Sequence, residues 1–271
     1  MILIFDTYGG LCNQMYDIQS AVNYCVIYNI RFSFRNASLR EKHDLTKWYN
    51  IPFNQLFHDS FIETKLYIPF ENIELNMNNT HMYNSDLRCI EWIDKERALL
   101  PQLYRINKEY IILKQFWAIC PPLNEIINCY ENVKPCKKIR QIFKEIKQTL
   151  PEKYNYIHYR YEDDFINHFQ ITNHPKLCDL IDTIEFTNHD LKIYVATYNI
   201  TNIKREYLSR PITSFDNVIY KKTELGHLNF EEQAFIDFLI GKQACEIYGH
   251  SKSSFSWLLN ASKNSQNYYD H

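Results

Sequence analysis

The 271-residue sequence predicts an α/β protein of two lobes, each built on a mostly parallel sheet. Three observations lead there. Strand-like and helix-like segments alternate through the second half, the pattern of parallel strands joined by helices. The chain opens as a strand, a glycine turn, a helix and a second strand. Residues 136–151 then form a break that closes on Pro151, which places the lobes at 1–150 and 151–271.

The elements follow in order. "ILIF" (2–5) has the unbroken apolar character of a buried strand, and "TYGG" after it is a turn. From Leu11, the apolar residues Leu11, Met15, Ile18, Val22 and Cys25 recur at helical spacing, so a helix runs to about Asn29. "IRFSF" (30–34) alternates as a strand does. Between 35 and 135 strands are expected at "LYIPF" (66–70) and "EYIILKQFW" (109–117), among polar stretches without repeats. "CKKIRQIFKEIKQTL" (136–150) is an amphipathic helix stopped by Pro151. "YNYIHYR" (154–160), "LKIYVAT" (191–197), "NVIYK" (217–221) and "CEIYG" (245–249) are the strands of the second lobe. "PKLCDLIDTI" (175–184), "FEEQAFIDFLIGKQA" (230–244) and "KSSFSWLLNAS" (252–262) are its helices.

Composition removes several classes. With 45% hydrophobic and 15% aromatic residues, a packed core is expected and disorder is not. A net charge of −2 with interspersed signs gives no case for nucleic-acid binding. No apolar run reaches the ~18 residues of a membrane helix, and "MILIF" lacks the basic start of a signal peptide. The expectation is a soluble, cytoplasmic chain without a transmembrane segment, or a secretory-pathway lumenal one if a longer leader precedes it. The eight cysteines form no C-x-x-C pair, which argues against zinc; they fit buried apolar positions, or bridges in an oxidising compartment. Sequons stand at Asn36, Asn78, Asn199 and Asn260. Only five glycines occur, with neither G-x-G-x-x-G nor a P-loop, which disfavours dinucleotide dehydrogenases and NTPases.

Four strand ends carry the chemistry. In "YGGLCNQM" (8–15), Gly9 and Gly10 let a ligand approach exposed helix amides, and Asn13 can both donate and accept; the same residues also suit a tight strand-to-helix connection. In "HYRYEDDF" (158–165), Arg160 leaves a strand end able to fork onto a phosphate or carboxylate. Glu162, Asp163 and Asp164 could orient it, hold a metal or begin a solvated loop. "IYGHSKSSFSWLLN" (247–260) sets Ser253, Ser254 and Ser256 at a helix start, suited to phosphate oxygens or to capping. Thr197 ends "YVAT". Two helix starts and one arginine at strand ends point to a phosphorylated ligand in a cleft between the lobes.

The order of these motifs resembles the GDP-fucose-dependent fucosyltransferases, the protein O-fucosyltransferase group first and the α1,2- and α1,6-fucosyltransferases more distantly. "GGLCNQM" is similar to the family's G-x-x-x-N-Q segment and "HYRYEDDF" to its H-x-R-x-[ED] motif. "YVAT" resembles the strand before the guanine-facing region, and "EEQAFIDFLIGKQACEIYGHSKSSFSWLL" the final helix, strand and S-S-F-[ST] segment. Together they cover about 70 residues, with no match over 35–135. The resemblance implies a GT-B-like fold of two Rossmann-like lobes with a cleft between them. It implies inverting, metal-independent transfer of fucose from GDP-fucose to a saccharide or glycoprotein hydroxyl, with no cofactor beyond that donor. Arg160 then contacts the β-phosphate as it leaves, and Asn13 reaches the sugar. His158 lies beside the nucleotide, Ser253, Ser254, Phe255 and Ser256 cradle the diphosphate, and Asp237 stands near the guanine. The chain is short for the family, which suggests a reduced acceptor lobe suited to a small glycan end. Some relatives carry a carboxylate in the glycine loop; here Gly9 and Gly10 stand there, which leaves Asp17 and Glu162 as candidate bases. Two alternatives stay open: a metal-dependent transferase using another nucleotide sugar at Glu162–Asp164, and a non-catalytic glycan- or nucleotide-binding relative.

Overall fold

The computed structural model describes residues 1–42, 44–84, 102–116, 129–198, 203, 207–221 and 223–270. Cys89, Cys120 and the sequon at Asn199 lie outside these residues. Two compact units are present. The first comprises Met1–Arg40 and Lys47–Lys138, and the second Glu41–Thr46 and Ile139–His271.

In the first unit, β1 (Ile2–Thr7) is buried along its whole length, as its unbroken apolar run requires. It pairs in parallel with β2 (Arg31–Arg40), Ile2 opposite Arg31, and with β5 (Tyr110–Phe116), Ile2 opposite Tyr110. β2 continues past "IRFSF" and turns back through an antiparallel β3 (Trp48–Pro52), while β4 (Thr80–Asn84) lies beyond β5. The sheet order is β3-β2-β1-β5-β4. Helix α1 (Leu11–Ile27) packs Leu11, Met15, Ile18, Val22 and Cys25 inward, at the spacing that foretold it. The strand expected at "LYIPF" is absent. A single bridge joins Tyr67 to Phe32, then Pro69, which has no N–H to extend a ladder, precedes a 3-10 turn at Phe70–Asn72. A helical turn, α2 (Cys129–Asn132), closes the unit.

Helix α3 (Lys137–Lys147) buries Ile139 and carries Lys144 and Lys147 in its last turn, where cations meet the free carbonyls. The second unit's sheet is parallel throughout, in the order β10-β9-β6-β7-β8. Its strands are β6 (Asn155–His158), β7 (Ile193–Ala196), β8 (Val218–Tyr220), β9 (Ile247–His250) and β10 (Tyr268–Tyr269). Numbered within the unit and taken from the β8 edge, this is a 3-2-1-4-5 sheet, with its topological switch between β6 and β9. α4 (Asp163–His168) and α5 (Leu177–Thr183) follow β6, and α6 (Phe230–Gln243) and α7 (Ser254–Ser262) flank β9. α6 begins at a capping box in which the Asn229 N–H donates to Glu232 Oε2 at 2.8 Å. It buries Phe235, Ile236 and Phe238, each contributing about 1.5–3 kcal/mol. Cys25, Cys136 and Cys178 are buried thiols.

Candidate functional site

At the carboxyl end of β1, Gly9 holds φ +89°, a left-handed conformation that other residues adopt at a cost. Gly10 is the N-cap of α1, and a Cβ there would stand 2.8 Å from an Arg40 guanidinium nitrogen. Arg40 in turn lies 4.9 Å over the Trp48 ring. The side chains of this loop are turned to structure. Gln14, fully buried, donates from Nε2 to Gly9 O (2.8 Å) and Ser38 O (2.7 Å), while its Oε1 accepts from Thr7 Oγ1 (2.8 Å) and Ser38 N (3.0 Å). Asp17, also buried, accepts the Tyr8 N–H at 3.0 Å. Asn13 is half-buried against Gly9 and makes no cap bond. Gln14 is a residue that sequence reasoning passed over, although it stands beside Asn13 in the quoted motif.

The second unit gathers the other candidates. β6 ends at His158, so Arg160 lies past the strand and not on its face. Its backbone is held there: Tyr269 Oη donates to His158 O at 2.9 Å and accepts the Arg160 N–H at 3.4 Å. The guanidinium donates from Nε to Glu162 Oε2 (2.6 Å), stands 3.7 Å from Asp164 Oδ2, and lies 4.8 Å over the Phe165 ring. Burial alone would lower its pKa, but Glu162 and Asp164 outweigh burial and hold it above the ordinary arginine value. "EDD" is thus neither loop nor free acid cluster: Glu162 is the N-cap of α4 and an orienter of Arg160.

His158 Nδ1 lies 2.9 Å from Ser256 Oγ, and its ring stacks on Phe255 at 4.2 Å. Burial, and then the Arg160 charge, push its pKa well below the usual value, so it is neutral at pH 7. Gly249 makes room for this contact, since a Cβ there would collide with Ser256. Asp237, on α6, accepts from Tyr194 Oη at 3.0 Å and from Lys221 Nζ at 2.7 Å. Its pKa is raised by burial, against the pull of Lys221 and Tyr194.

His158, Arg160, Thr197, Lys221, Asp237 and Phe255 line one open recess. Among the described residues, Thr197 Oγ1 is buried without a hydrogen-bond partner, as is Ser253 Oγ at the N-cap of α7. Ser254 is half-buried in the first turn of that helix. Lys221 was not singled out from the sequence, yet it follows β8 directly, and the carboxyl end of a parallel strand is a usual place for a ligand contact. Gly9, Gly10 and Asn13 belong to the first unit, and the other candidates to the second.

Two Rossmann-like units, each with a candidate loop at the carboxyl end of its central strand, make this an α/β protein of the GT-B class. The comparisons with solved structures are more particular. POFUT1 in complex with GDP superposes with a TM-score of 0.66 at 10% identity, covering 99% of this chain and 97% of that one. POFUT1 in complex with GDP-fucose gives 0.61 at 10% identity, covering 99% and 96%. The fucosyltransferase NodZ from Bradyrhizobium gives 0.55 at 14%, covering 95% and 92%. No family model matches the chain, and no curated protein does. At these identities the likeness is one of fold: the chain has the fold of GDP-fucose-dependent fucosyltransferases.

Proposed function

We propose that this protein transfers fucose from GDP-fucose to a hydroxyl of a saccharide or glycoprotein, with inversion and without a metal ion. The observation that carries the reading is Arg160: a half-buried guanidinium delivered past the central strand of the second unit into an open recess that also holds His158, Thr197 and Asp237. The fold shared with POFUT1 and NodZ supports the same reading, since structures of both carry GDP.

In this reading residues 151–271 hold the donor and residues 1–150 serve the acceptor. As the bond to the anomeric carbon breaks, negative charge builds on the departing diphosphate. Arg160, kept in place by Glu162, meets that charge together with the amides at the start of α7, a contribution of roughly 3–4 kcal/mol. Ser253 and Thr197, whose hydroxyls have no partner among the described residues, bond the donor. Ser254 and Ser256 shape the diphosphate cradle. His158 and Phe255 flank the nucleotide, and Asp237 with Lys221 faces the guanine. Gly9, Gly10 and Asn13 serve the sugar from the first unit. Asp17 and Glu162 each accept a hydrogen bond within the protein; in a dissociative transition state the acceptor proton leaves late and passes to the departing diphosphate or to water, so no side-chain base is required.

Calorimetric titration with GDP, UDP and GDP-fucose, each with and without EDTA, tests the proposal. Binding of GDP and GDP-fucose but not UDP, unchanged by EDTA, is expected. A preference for UDP, or binding lost in EDTA, would replace it with the metal-dependent reading at Glu162–Asp164. No nucleotide binding would leave a non-catalytic relative.

A further inference from the structure

We propose that a second recess, wholly within the first unit, binds one neutral pyranose ring and is the subsite for an acceptor saccharide. That its occupant is an acceptor rests on the fucosyl transfer proposed above; that it is a saccharide does not. The recess, of about 420 Å³, lies among β2, the end of β3 and the 3-10 turns at Phe53–Gln55, Asp59–Phe61 and Phe70–Asn72.

Its lining pairs aromatic surface with hydrogen-bonding groups of both kinds. Phe34 and Phe53, buried and stacked at 4.9 Å, make a rigid floor. Tyr67, 6.3 Å from Phe34, and Phe70, packed on the Ile2–Ile4–Ile112 cluster, are half-buried walls. Arg35 donates from Nε to Asp6 Oδ1 (2.9 Å) and from Nη2 to Asp6 Oδ2, which leaves Nη1 as a donor. Asp59 Oδ2 accepts from Tyr67 Oη at 3.3 Å, and Oδ1 has no partner among the described residues. The Asn54 amide and the Glu71 carboxylate, both exposed, likewise have none.

The charges select the ligand class. Asp6 cancels Arg35, so Asp59 and Glu71 leave the recess acidic, hostile to phosphates and carboxylates. A small organic cation is the rival that acids and aromatic walls would also suit, and a choline control separates it. Apolar faces with a few fixed donors and acceptors suit a ligand that is apolar on its C–H face and hydroxylated at its edge. A pyranose has that surface.

The test is saturation-transfer NMR on the full chain. The probes are methyl α-D-glucopyranoside, methyl β-D-galactopyranoside and N-acetyl-D-glucosamine, with choline and inorganic phosphate as controls. At least one pyranose should bind at millimolar concentration and neither control should. Asn54→Ala, at an exposed position, and Asp59→Asn should each weaken binding several-fold, up to about tenfold, with GDP affinity unchanged in both. Absence of binding by all three pyranoses, affinity untouched by both variants, or preferential binding of choline or phosphate would overturn the proposal. GDP affinity in the unmodified chain separates the two readings: pyranose binding without GDP binding keeps this subsite and removes fucosyl transfer.

Discussion

β1 and β6 are the central strands of their sheets, and each sends a candidate loop from its carboxyl end beside a topological switch. After β1 the side chains face inward: all four hydrogen bonds of Gln14, and the carboxylate of Asp17, fix the backbone of Tyr8 to Gly10 and its neighbours. After β6 it is the backbone that is clamped, by Tyr269, so that a side chain, Arg160, projects into the recess. Among the described residues of the second unit the hydroxyls of Thr197, Ser253 and Ser265 are buried and unbonded, and Thr197 borders the recess, an arrangement that costs stability unless a ligand completes it. The same position in two sheets is thus used to present amides in one unit and charge in the other. On this division, changes after β6 damage chemistry first and changes after β1 damage the fold first.

Arg160→Ala is the largest test. It should remove roughly 3–4 kcal/mol of transition-state stabilisation, a loss of about 10²–10³ in kcat/KM, while circular dichroism stays native. Because it strands the Glu162 carboxylate, which is 5% exposed, some loss of melting temperature is expected too. Arg160→Lys keeps the charge but not the fork and should fall between the two. Near-normal turnover in Arg160→Ala would refute its role and the contrast with it.

Gln14→Leu sharpens the other side. It leaves the Gly9 and Ser38 carbonyls, the Ser38 N–H and the Thr7 hydroxyl without their partner, at a cost of about 2–4 kcal/mol. Urea unfolding should show that loss, with GDP affinity preserved. A loss under about 1 kcal/mol, or a large fall in GDP affinity, would mean that the two loops are not divided in this way.

Much of this was legible in the residues. β1, α1 and the strand–helix alternation of 136–262 could be read because buried parallel strands and amphipathic helices leave periodic apolar signals. β3 and β10 could not: β3 is an exposed edge pairing and β10 has two residues, too few to show a period. "LYIPF" misled because a β-rich composition says nothing of pairing, and Pro69 allows only a bridge. At the site, Arg160, His158, Thr197, Asp237 and Phe255 fall on one recess, and the S-S-F-S run surrounds Ser256. What sequence could not show was who partners whom. Asp17 and Glu162 looked alike as candidate bases, whereas in the structure Asp17 Oδ2 accepts a backbone N–H and Glu162 Oε2 accepts from Arg160. Lys221 became visible only through its pairing with Asp237.

His158 gives the smallest effect and the finest test of the division. Its pKa in the folded protein is pushed well below the ordinary 6.5 by burial and by Arg160. The unfolded chain therefore takes up a proton near pH 6.5 that the folded one refuses. Stability from this group is complete above pH 6.5 and is lost as pH falls below it, by at most about 1.4 kcal/mol per pH unit, until the folded-state pKa is reached. Melting curves from pH 7.5 to 5 should show the decline, and His158→Gln, which retains a polar partner for Ser256, should flatten it. An unchanged slope would mean that His158 is charged in the folded state. Arg160 and Lys221 would then share their recess with a third cation, a charge that the geometry does not assign there.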